Sequence, residues 1–229
     1  SSAASDVYKR QGYFFYHNRL HRNYQDDISL HYYLLASKDG ITIGKRYFKH
    51  ENNKEDYPFS PSGHNLYDNN SKLYYCRDFD NIVYQIHEDS VVPRFRINLP
   101  NPLPASMIEE RPNEMSLLRS GYSLGITDIY EYGGLLFFRF VKDGYIWSCL
   151  YNVEESKQVY CAKRIKFLDS SLIDTIDGIY KDCFYSILTP EYLDYAFSEN
   201  PLEDYPDLFK TYDVEGDNPV IAFYRAVVR

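Results

Sequence analysis

The chain has 229 residues, a formal net charge of -8 and 44% hydrophobic residues, values that are typical of globular domains. The excess of 33 acidic over 25 basic residues argues against binding of nucleic acid or of an anionic membrane, because both need a basic surface. No apolar run is as long as the roughly 20 residues that a helix needs to span a bilayer. The 25 Tyr and 14 Phe fit half-buried pleated surfaces, so the composition indicates β-sheet.

The first residues, SSAASDVYKRQ, match the in-frame translation of a transposase adapter used to prepare sequencing libraries. We therefore interpret residues 1–11 as an adapter-derived artefact and begin the fold reasoning at Gly12. On this interpretation residues 12–229 are the C-terminal part of one domain. We expect the gene to extend upstream by at least ten strands and an export signal.

From Gly12 onward, short runs rich in aromatic and aliphatic residues alternate with Asn, Asp and Gly turns, which indicates an all-β fold. Two stretches look helical, around 105–118 and 191–197, and both fall in long connections. We predict fourteen strands, at 12–17, 31–37, 41–48, 64–67, 72–76, 82–87, 91–98, 126–130, 135–141, 145–152, 158–163, 178–180, 183–188 and 219–228.

Internal repeats distinguish between all-β architectures. An aliphatic residue, a Tyr and a polar turn occur together three times, around Tyr67, Tyr130 and Tyr180, and each copy precedes an aromatic strand. A second element, Asp-Asn opening a strand, occurs at 80–84 and 217–221. Repeats of roughly 40 to 50 residues are typical of β-propeller blades. In a sandwich or a jelly roll, the same turn-and-strand element would not recur at this spacing.

Several segments resemble a known family. LYYCRDFDNIVYQI at 73–86, the strand pair GGLLFFRF and YIWSCLYN, and EGDNPVIAFY at 215–224 are similar to segments of six-bladed β-propeller proteins of Bacteroidetes and related gut bacteria. The resemblance covers residues 12–229. It implies an exported protein, often lipid-anchored, in the periplasm or at the cell surface, from a family that is largely uncharacterised.

We expect a partial β-propeller of about three and a half four-stranded blades out of six, arranged as an open arc. The first blade, within 12–48, should lack its inner strand, and 64–98 and 126–163 should be complete blades. The last blade, 178–228, should lack its outer strand and leave 219–228 as an open edge. Because open edges pair between chains, we do not expect a stable monodisperse monomer.

The assignment of strands to blades also places the connections on two faces of the propeller. The long connections 19–30, 49–63, 99–125 and 189–218 share one face, called here the long-loop face, and short turns such as 38–40 and 88–89 lie on the other. Rigid scaffolds usually present binding residues on long loops, so we predict a ligand site there. Its candidate residues are His17, Arg19, Arg77, Asp78, Arg139 and Lys142.

Motifs for catalysis or metal binding are not found in the sequence. His17 and His21 have an i, i+4 spacing but no third ligand, which favours surface histidines in a loop. Adjacent carboxylate pairs such as 109–110 would face opposite ways on a strand and are interpreted as solvated charges. The segment 77–80 fits a turn in which Asp80 or Asn81 caps backbone N–H groups, as well as a binding loop. No metal or cofactor is predicted.

The four cysteines, Cys76, Cys149, Cys161 and Cys183, lie in or beside apolar strands, where a free thiol behaves as a small apolar residue. Cys149 and Cys161 flank one hairpin and could be cross-strand neighbours. A direct cross-strand disulfide is geometrically demanding, so free thiols are favoured, and the redox state stays open.

Two classes of function remain. The favoured one is a non-enzymatic recognition module that binds a glycan, a peptide or a protein on the long-loop face, where Tyr side chains suit stacking on sugars. The alternative is a polysaccharide-active hydrolase or lyase whose residues converge at the central channel of the propeller. Propellers host both classes, so whether the protein is an enzyme is left open. Membrane contact is expected only through a lipid anchor upstream.

Overall fold

The computed structural model describes residues 7–10, 12–17, 32–49, 60–62, 64–69, 72–88, 90–110, 112–163, 165–167, 170–173, 176–199, 212–213, 215–216 and 218–225. The strands of the first half are β1 (Val7–Arg10), β2 (Tyr13–His17), β3 (Tyr32–Ser37), β4 (Ile43–Lys49), β5 (Leu66–Asn69), β6 (Lys72–Cys76), β7 (Ile82–Ile86) and β8 (Val91–Arg96). Those of the second half are β9 (Ser123–Tyr132), β10 (Leu135–Lys142), β11 (Tyr145–Asn152), β12 (Lys157–Ala162), β13 (Ile165–Phe167), β14 (Ser170–Ile173), β15 (Gly178–Tyr180), β16 (Cys183–Leu188) and β17 (Val220–Tyr224).

The strands form sheets whose order follows the chain. Three sheets have four strands, β1-β2-β3-β4, β5-β6-β7-β8 and β9-β10-β11-β12, and a fourth has the order β15-β16-β17. The pair β13-β14 forms a separate two-stranded sheet. This is the predicted all-β architecture of four-stranded blades, and each of the fourteen predicted strands is present. The hairpin β13-β14 was not predicted.

The first sheet differs from the prediction. Val7–Arg10 pairs antiparallel with β2, Tyr8 opposite Phe15, so the expectation that the first blade lacks its inner strand is wrong. Its sequence, Val-Tyr-Lys-Arg, also has the aliphatic, Tyr and polar pattern of the other inner strands. Strand pairing uses main-chain groups that every sequence carries. The adapter origin of residues 1–11 therefore stays a prediction.

Tight turns explain why the chain reverses where it does. Gly133 and Gly134, between β9 and β10, have φ of 57° and 77°, and Asp143 and Gly144, between β10 and β11, have φ of 54° and 73°. Two successive residues with positive φ are the requirement of the type I′ turn, which suits the right-handed twist of paired strands. Gly-Gly and Asp-Gly are therefore local signals for these two hairpins.

The helices are short and lie in connections. The predicted stretch 105–118 is two helices, α1 (Ala105–Glu109) and α2 (Glu114–Leu118), because Pro112 between them disfavours a helical backbone. Asn113 caps α2 by accepting a hydrogen bond from the Ser116 amide at 2.9 Å. The third helix, α3 (Pro190–Glu199), matches the predicted stretch 191–197.

The chain divides into two compact units. Unit 1 contains residues 1–129 and 138–146, and unit 2 contains 130–137 and 147–229. In unit 1 the first two sheets share a buried cluster made of Phe15, Leu34, Ala36, Leu66, Leu73, Tyr75, Tyr84 and Ile86. In unit 2, Leu193 and Ala196 of α3 pack against Leu188, with Val220 and Ala222 of β17 beside them.

Cys149 and Cys161 form a disulfide, so the prediction that favoured free thiols is wrong for this pair. The register of β11 and β12 places the two residues directly opposite each other, with 4.0 Å between their Cα atoms. Cys76 and Cys183 are free thiols, the first buried and the second partly exposed. The hairpin turn at 153–156 sets this register, which the cysteine spacing alone does not reveal.

Candidate functional site

Three connections meet at one end of unit 1. They are the β6–β7 turn at 77–81, the β8–β9 connection at 97–110 and 112–122, and the β10–β11 turn at 143–144, and together they are called here the loop cluster. The Ile97 amide donates to the Asn81 carbonyl at 2.9 Å, which joins the first two. A Cβ placed on Gly121 would lie 3.6 Å from Asp143 Oδ1, so the second and third are also neighbours. The sorting of the long connections onto one face stays a prediction, because 19–30 and much of 49–63 and 189–218 lie outside the described residues.

Apolar packing beneath the loop cluster holds it in place. Leu117, Leu124 and Val141 are buried together, and Phe79 of the β6–β7 turn packs against them. Leu124 lies at the start of β9 and Val141 near the end of β10, so the loops are anchored on strand ends. The cluster is therefore part of the core of unit 1 rather than a set of independent turns.

Arg77 follows β6, is partly exposed and is held in place by its neighbours. Its Nε lies 2.9 Å from Asp80 Oδ2, and its guanidinium lies 5.2 Å from the ring centroid of Phe48 and 5.8 Å from that of Tyr84. Burial alone would lower the pKa of Arg77, but the Asp80 carboxylate outweighs it and the pKa is raised. Arg77 therefore stays charged beside the rings of Phe48 and Tyr84, which together are called here the aromatic shelf.

Two aromatic residues beside Arg77 have unusual backbone angles. Phe48 at the end of β4 has φ of 58°, and Phe79 in the β6–β7 turn has φ of 60°. The left-handed region is unfavourable for a bulky side chain, at a cost of about 1–3 kcal/mol per residue. Such residues cluster at functional sites, where the surrounding structure holds them in place. The Phe48 ring also lies 4.5 Å from the ring of Tyr84.

Asp80 fixes the β6–β7 turn. Its Oδ1 accepts hydrogen bonds from the Asn81 amide at 2.8 Å and the Ile82 amide at 3.1 Å, while Oδ2 accepts from Arg77. The interpretation of 77–80 as a turn capped by Asp80 is confirmed. The Arg77 side chain stays partly exposed beside the capped turn, so the structural role and the binding role are compatible.

His17 lies in the core and not in a loop, so its interpretation as a surface histidine is wrong. It is 3% exposed, at the end of β2, and its Nδ1 is 3.1 Å from the Tyr75 hydroxyl. The Tyr75 ring stacks on Phe48 with 5.6 Å between centroids. The alternation Tyr13, Phe15, His17 puts His17 on the same face as buried Phe15, which is the signal that predicts its burial. Burial raises the pKa of Tyr75 well above its ordinary value.

Asp78 is engaged within the loops. Its Oδ1 accepts from the Ser60 hydroxyl at 2.7 Å and from the Asn65 side-chain amide at 3.1 Å. Asn65 also donates to the Cys76 carbonyl at 2.9 Å and is buried. These bonds tie the connection before β5 to the turn after β6. Sequence reasoning selected Asp78 and missed Ser60 and Asn65.

Arg139 and Asp128 form a mostly buried ion pair between β10 and β9. Arg139 Nε donates to Asp128 Oδ2 at 2.7 Å, and Nη2 is also 2.7 Å from that oxygen. Burial raises the pKa of the Asp128 carboxyl, and the attraction of Arg139 offsets only part of this effect. The side chain of Arg139 is 17% exposed, so it offers less surface to a ligand than Arg77 does, at 33%.

The remaining candidates fall in different places. Lys142 is partly exposed at the end of β10, next to the Asp143-Gly144 turn of the loop cluster. Arg19 lies outside the described residues, as does His21. The structure thus brings Arg77, Asp78 and Lys142 to the loop cluster and its immediate surroundings, and it places His17 beneath the aromatic shelf.

The described residues contain no group of three or more His, Cys, Asp or Glu side chains that could hold a metal ion. Within the same part of the chain, no helix is both long and apolar enough to cross a membrane.

Comparisons with known proteins agree with the architecture. The chain resembles the crystal structure of a Bacteroides fragilis protein that is inferred to be exported, with a TM-score of 0.71 and 14% sequence identity. The match covers 94% of this chain and 63% of the other, so the chain spans less than two thirds of that protein. No curated protein has a matching sequence. A model of a six-bladed β-propeller family matches residues 3–171, which is more than half of the chain. The chain therefore belongs to a family of six-bladed β-propellers.

Proposed function

We propose that this chain is part of a non-enzymatic recognition module that binds a glycan, a peptide or a protein through the loop cluster of unit 1. The observation that carries the proposal is the Arg77 guanidinium, fixed by Asp80 over Phe48 and Tyr84 and still one-third exposed. A planar cation beside aromatic rings suits the carboxylate of an acidic sugar or peptide, because guanidinium groups bind carboxylates through paired hydrogen bonds.

The binding surface combines contact residues with supporting ones. In this proposal Arg77 and Lys142 contact the ligand, Arg139 contributes positive charge near it, and Asp78 fixes the loops. His17 supports the shelf from below through Tyr75. Positive φ at Phe48 and Phe79 supports a functional role, because strained backbone persists where the fold over-determines it.

Three carboxyl groups at or near the loop cluster are engaged by other side chains, which supports binding rather than catalysis by these three groups. A glycoside hydrolase needs two carboxyl groups that face the substrate, one as acid and the other as base or nucleophile. In unit 1, Asp78 is engaged by Ser60 and Asn65, Asp80 by Arg77, and Asp128 by Arg139. A hydrolase or lyase acting on polysaccharide remains the competing class.

We also propose that the protein works in the periplasm or at the cell surface, and that a lipid anchor outside this sequence attaches it to the membrane. The likeness to a protein inferred to be exported supports this location. The Cys149–Cys161 disulfide supports it independently, because disulfides persist in oxidising compartments and are rare in the cytosol.

The test is a screen of the purified chain on a glycan array and a peptide array, followed by incubation with each ligand that binds. The proposal predicts saturable binding, with acidic ligands preferred, and recovery of each ligand unchanged. Release of shortened glycans would assign the chain to the hydrolases or lyases instead. Absence of binding on both arrays would contradict the recognition role.

A further inference from the structure

Arg96, the last residue of β8, is an exposed cation beside the loop cluster. The register places it opposite Ile82 of β7. Because Tyr84 is two residues further along β7, the side chains of Arg96, Ile82 and Tyr84 point to the same face of the second sheet. Ile82 and Tyr84 belong to the apolar cluster that the first two sheets share. Arg96 therefore stands at the edge of this packed face, where it is open to solvent.

Arg77 reaches the same face from the other side of β7. Cys76 of β6 pairs with Val83, so the next residue, Arg77, follows on the β6 side of Ile82. Arg96 lies on the β8 side of Ile82. Paired strands are about 5 Å apart, so the main chains at the two arginines are about 10 Å apart. Two side chains of this length can both contact one small group that lies between them.

The charges around the Tyr84 hydroxyl agree with this placement. Burial raises the pKa of Tyr84 and Asp80 adds to that effect, whereas the positive charges of Arg77 and Arg96 lower it. The guanidinium of Arg77 lies 5.8 Å from the centroid of the Tyr84 ring. Both arginines are thus close enough to act on one hydroxyl. Two cations and one carboxylate leave one net positive charge at this place.

The Asp80 carboxylate is fully engaged within the turn. Its Oδ2 accepts hydrogen bonds from two N–H groups of Arg77, and its Oδ1 accepts from the amides of Asn81 and Ile82. A guanidinium has five N–H donors, so Asp80 uses only two of those of Arg77. Within the described ranges, Arg96 forms no ion pair with a carboxylate. Positive charge and N–H donors are therefore left for a ligand.

We propose that Arg96 and Arg77 together bind one carboxylate of the ligand beside Tyr84, and that this carboxylate belongs to a uronic acid residue of a glycan. The inference rests on the recognition role proposed above, to which it adds Arg96 and a class of ligand. Guanidinium groups bind carboxylates through paired hydrogen bonds, and one carboxylate cancels the one net positive charge.

The charge of the chain favours an acidic glycan over an acidic peptide. The formal net charge is -8, so a peptide with several carboxylates is repelled by the rest of the protein. A glycan with a single uronic acid brings only the charge that the two arginines can bind, and the rest of it is neutral.

The test measures the affinity of this chain for methyl β-D-glucuronide and for methyl β-D-glucoside, which lacks the carboxylate. The wild type should bind the glucuronide at least about tenfold more tightly, and Arg96→Gln should weaken glucuronide binding about tenfold, as expected from the loss of one charge-assisted hydrogen bond. Glucoside binding should not change. Arg96→Lys should have an intermediate affinity, because it keeps the charge and loses the paired donors.

Arg94→Gln is the matched control. Arg94 is an exposed arginine of the same strand, but it lies 4.9 Å from the ring centroid of Phe95, which pairs with Val83 and so belongs to the opposite face. This variant should bind the glucuronide as the wild type does. Since both arginines are exposed, all variants should keep the melting temperature of the wild type.

The outcomes separate this inference from the recognition role. Equal glucuronide affinities of the wild type and Arg96→Gln would overturn the inference, as would equal losses for Arg96→Gln and Arg94→Gln, while binding itself would still support recognition. A wild type that binds the acetylated and amidated peptide Ala-Glu-Glu-Ala more tightly than the glucuronide would overturn the assignment to a glycan. A wild type that binds neither sugar nor peptide, on the arrays or in solution, would contradict the recognition role and this inference with it.

Discussion

Gly125 packs so closely on Phe79 that a Cβ at this position would lie 2.8 Å from the Phe79 Cα. The φ of Gly125 is 95°, in a region that side chains disfavour, and the next residue, Ile126, donates its amide hydrogen to the Asp80 carbonyl at 3.1 Å. The start of β9 is thereby fixed against the turn that carries Arg77. Glycine at this position is a requirement of the candidate site.

Gly125→Ala should lower the free energy of unfolding by about 1–3 kcal/mol, because it adds backbone strain and a clash with backbone atoms that cannot rotate away. Thermal unfolding measures the loss, and hydrogen exchange of the 77–82 amides reports the turn. Gly133→Ala is the control, since Gly133 also has positive φ but has nothing within 4 Å of its added Cβ. Equal losses for both variants would show that the contact with Phe79 is unimportant.

Most of the fold could be predicted from the sequence because its signals are local. Gly133-Gly134 and Asp143-Gly144 specify their turns by residue type alone, and the period-two alternation locates the strands around them. The hairpin β13-β14 was missed because its strands have only three and four residues and lack the repeated Tyr element that located the equally short β5 and β15.

The site was predicted less completely because its contacts are distant in sequence. His17 contacts Tyr75, which is 58 positions away in the sequence, so no local pattern indicates this contact. Phe48 and Phe79 have positive φ, which bulky residues disfavour, so their residue type does not predict their backbone angles. Ser60 and Asn65 were missed since a single Ser or Asn in a loop carries no motif. The Cys149–Cys161 pairing depends on strand register, which only the folded hairpin fixes.

Arg139→Gln should destabilise unit 1 by about 3 kcal/mol at neutral pH, because Asp128 would be left as a mostly buried carboxylate without its guanidinium partner. The double variant Asp128→Asn with Arg139→Gln should recover part of the loss, since it removes the uncompensated charge. Denaturant unfolding at pH 7 measures both. A double variant less stable than the sum of the single losses would contradict an isolated ion pair.

The same carboxyl should also contribute to the pH dependence of stability. Because burial raises the pKa of Asp128, the folded chain keeps this proton to a higher pH than the unfolded chain does. Its contribution to the free energy of unfolding is therefore full below the ordinary pKa of 3.8 and falls as the pH rises through the raised value. Subtracting the pH profile of Asp128→Asn from that of the wild type should isolate this decline, and a difference that rises with pH in this window would have the wrong sign.

Thiol counting should find two reactive cysteines in the denatured, unreduced chain, Cys76 and Cys183, and four after reduction. In the native chain only Cys183 should react quickly, because Cys76 is buried and its thiol pKa is raised well above the ordinary value by that burial. Cys149→Ser should cost about 2–3 kcal/mol, since it opens a short loop in the unfolded state. Four reactive thiols without reduction would show that the disulfide does not form.

The most direct test of the recognition role is to compare array binding of the wild type, Lys142→Ala and Lys38→Ala. The two variants remove the same charge, one beside the loop cluster and one in a short turn of the same unit. Lys142→Ala should weaken the binding of acidic ligands about tenfold, which is the change in affinity expected from the loss of one charge-assisted hydrogen bond. Lys38→Ala should leave the affinity unchanged. Equal effects of the two variants would show that binding does not occur at the loop cluster.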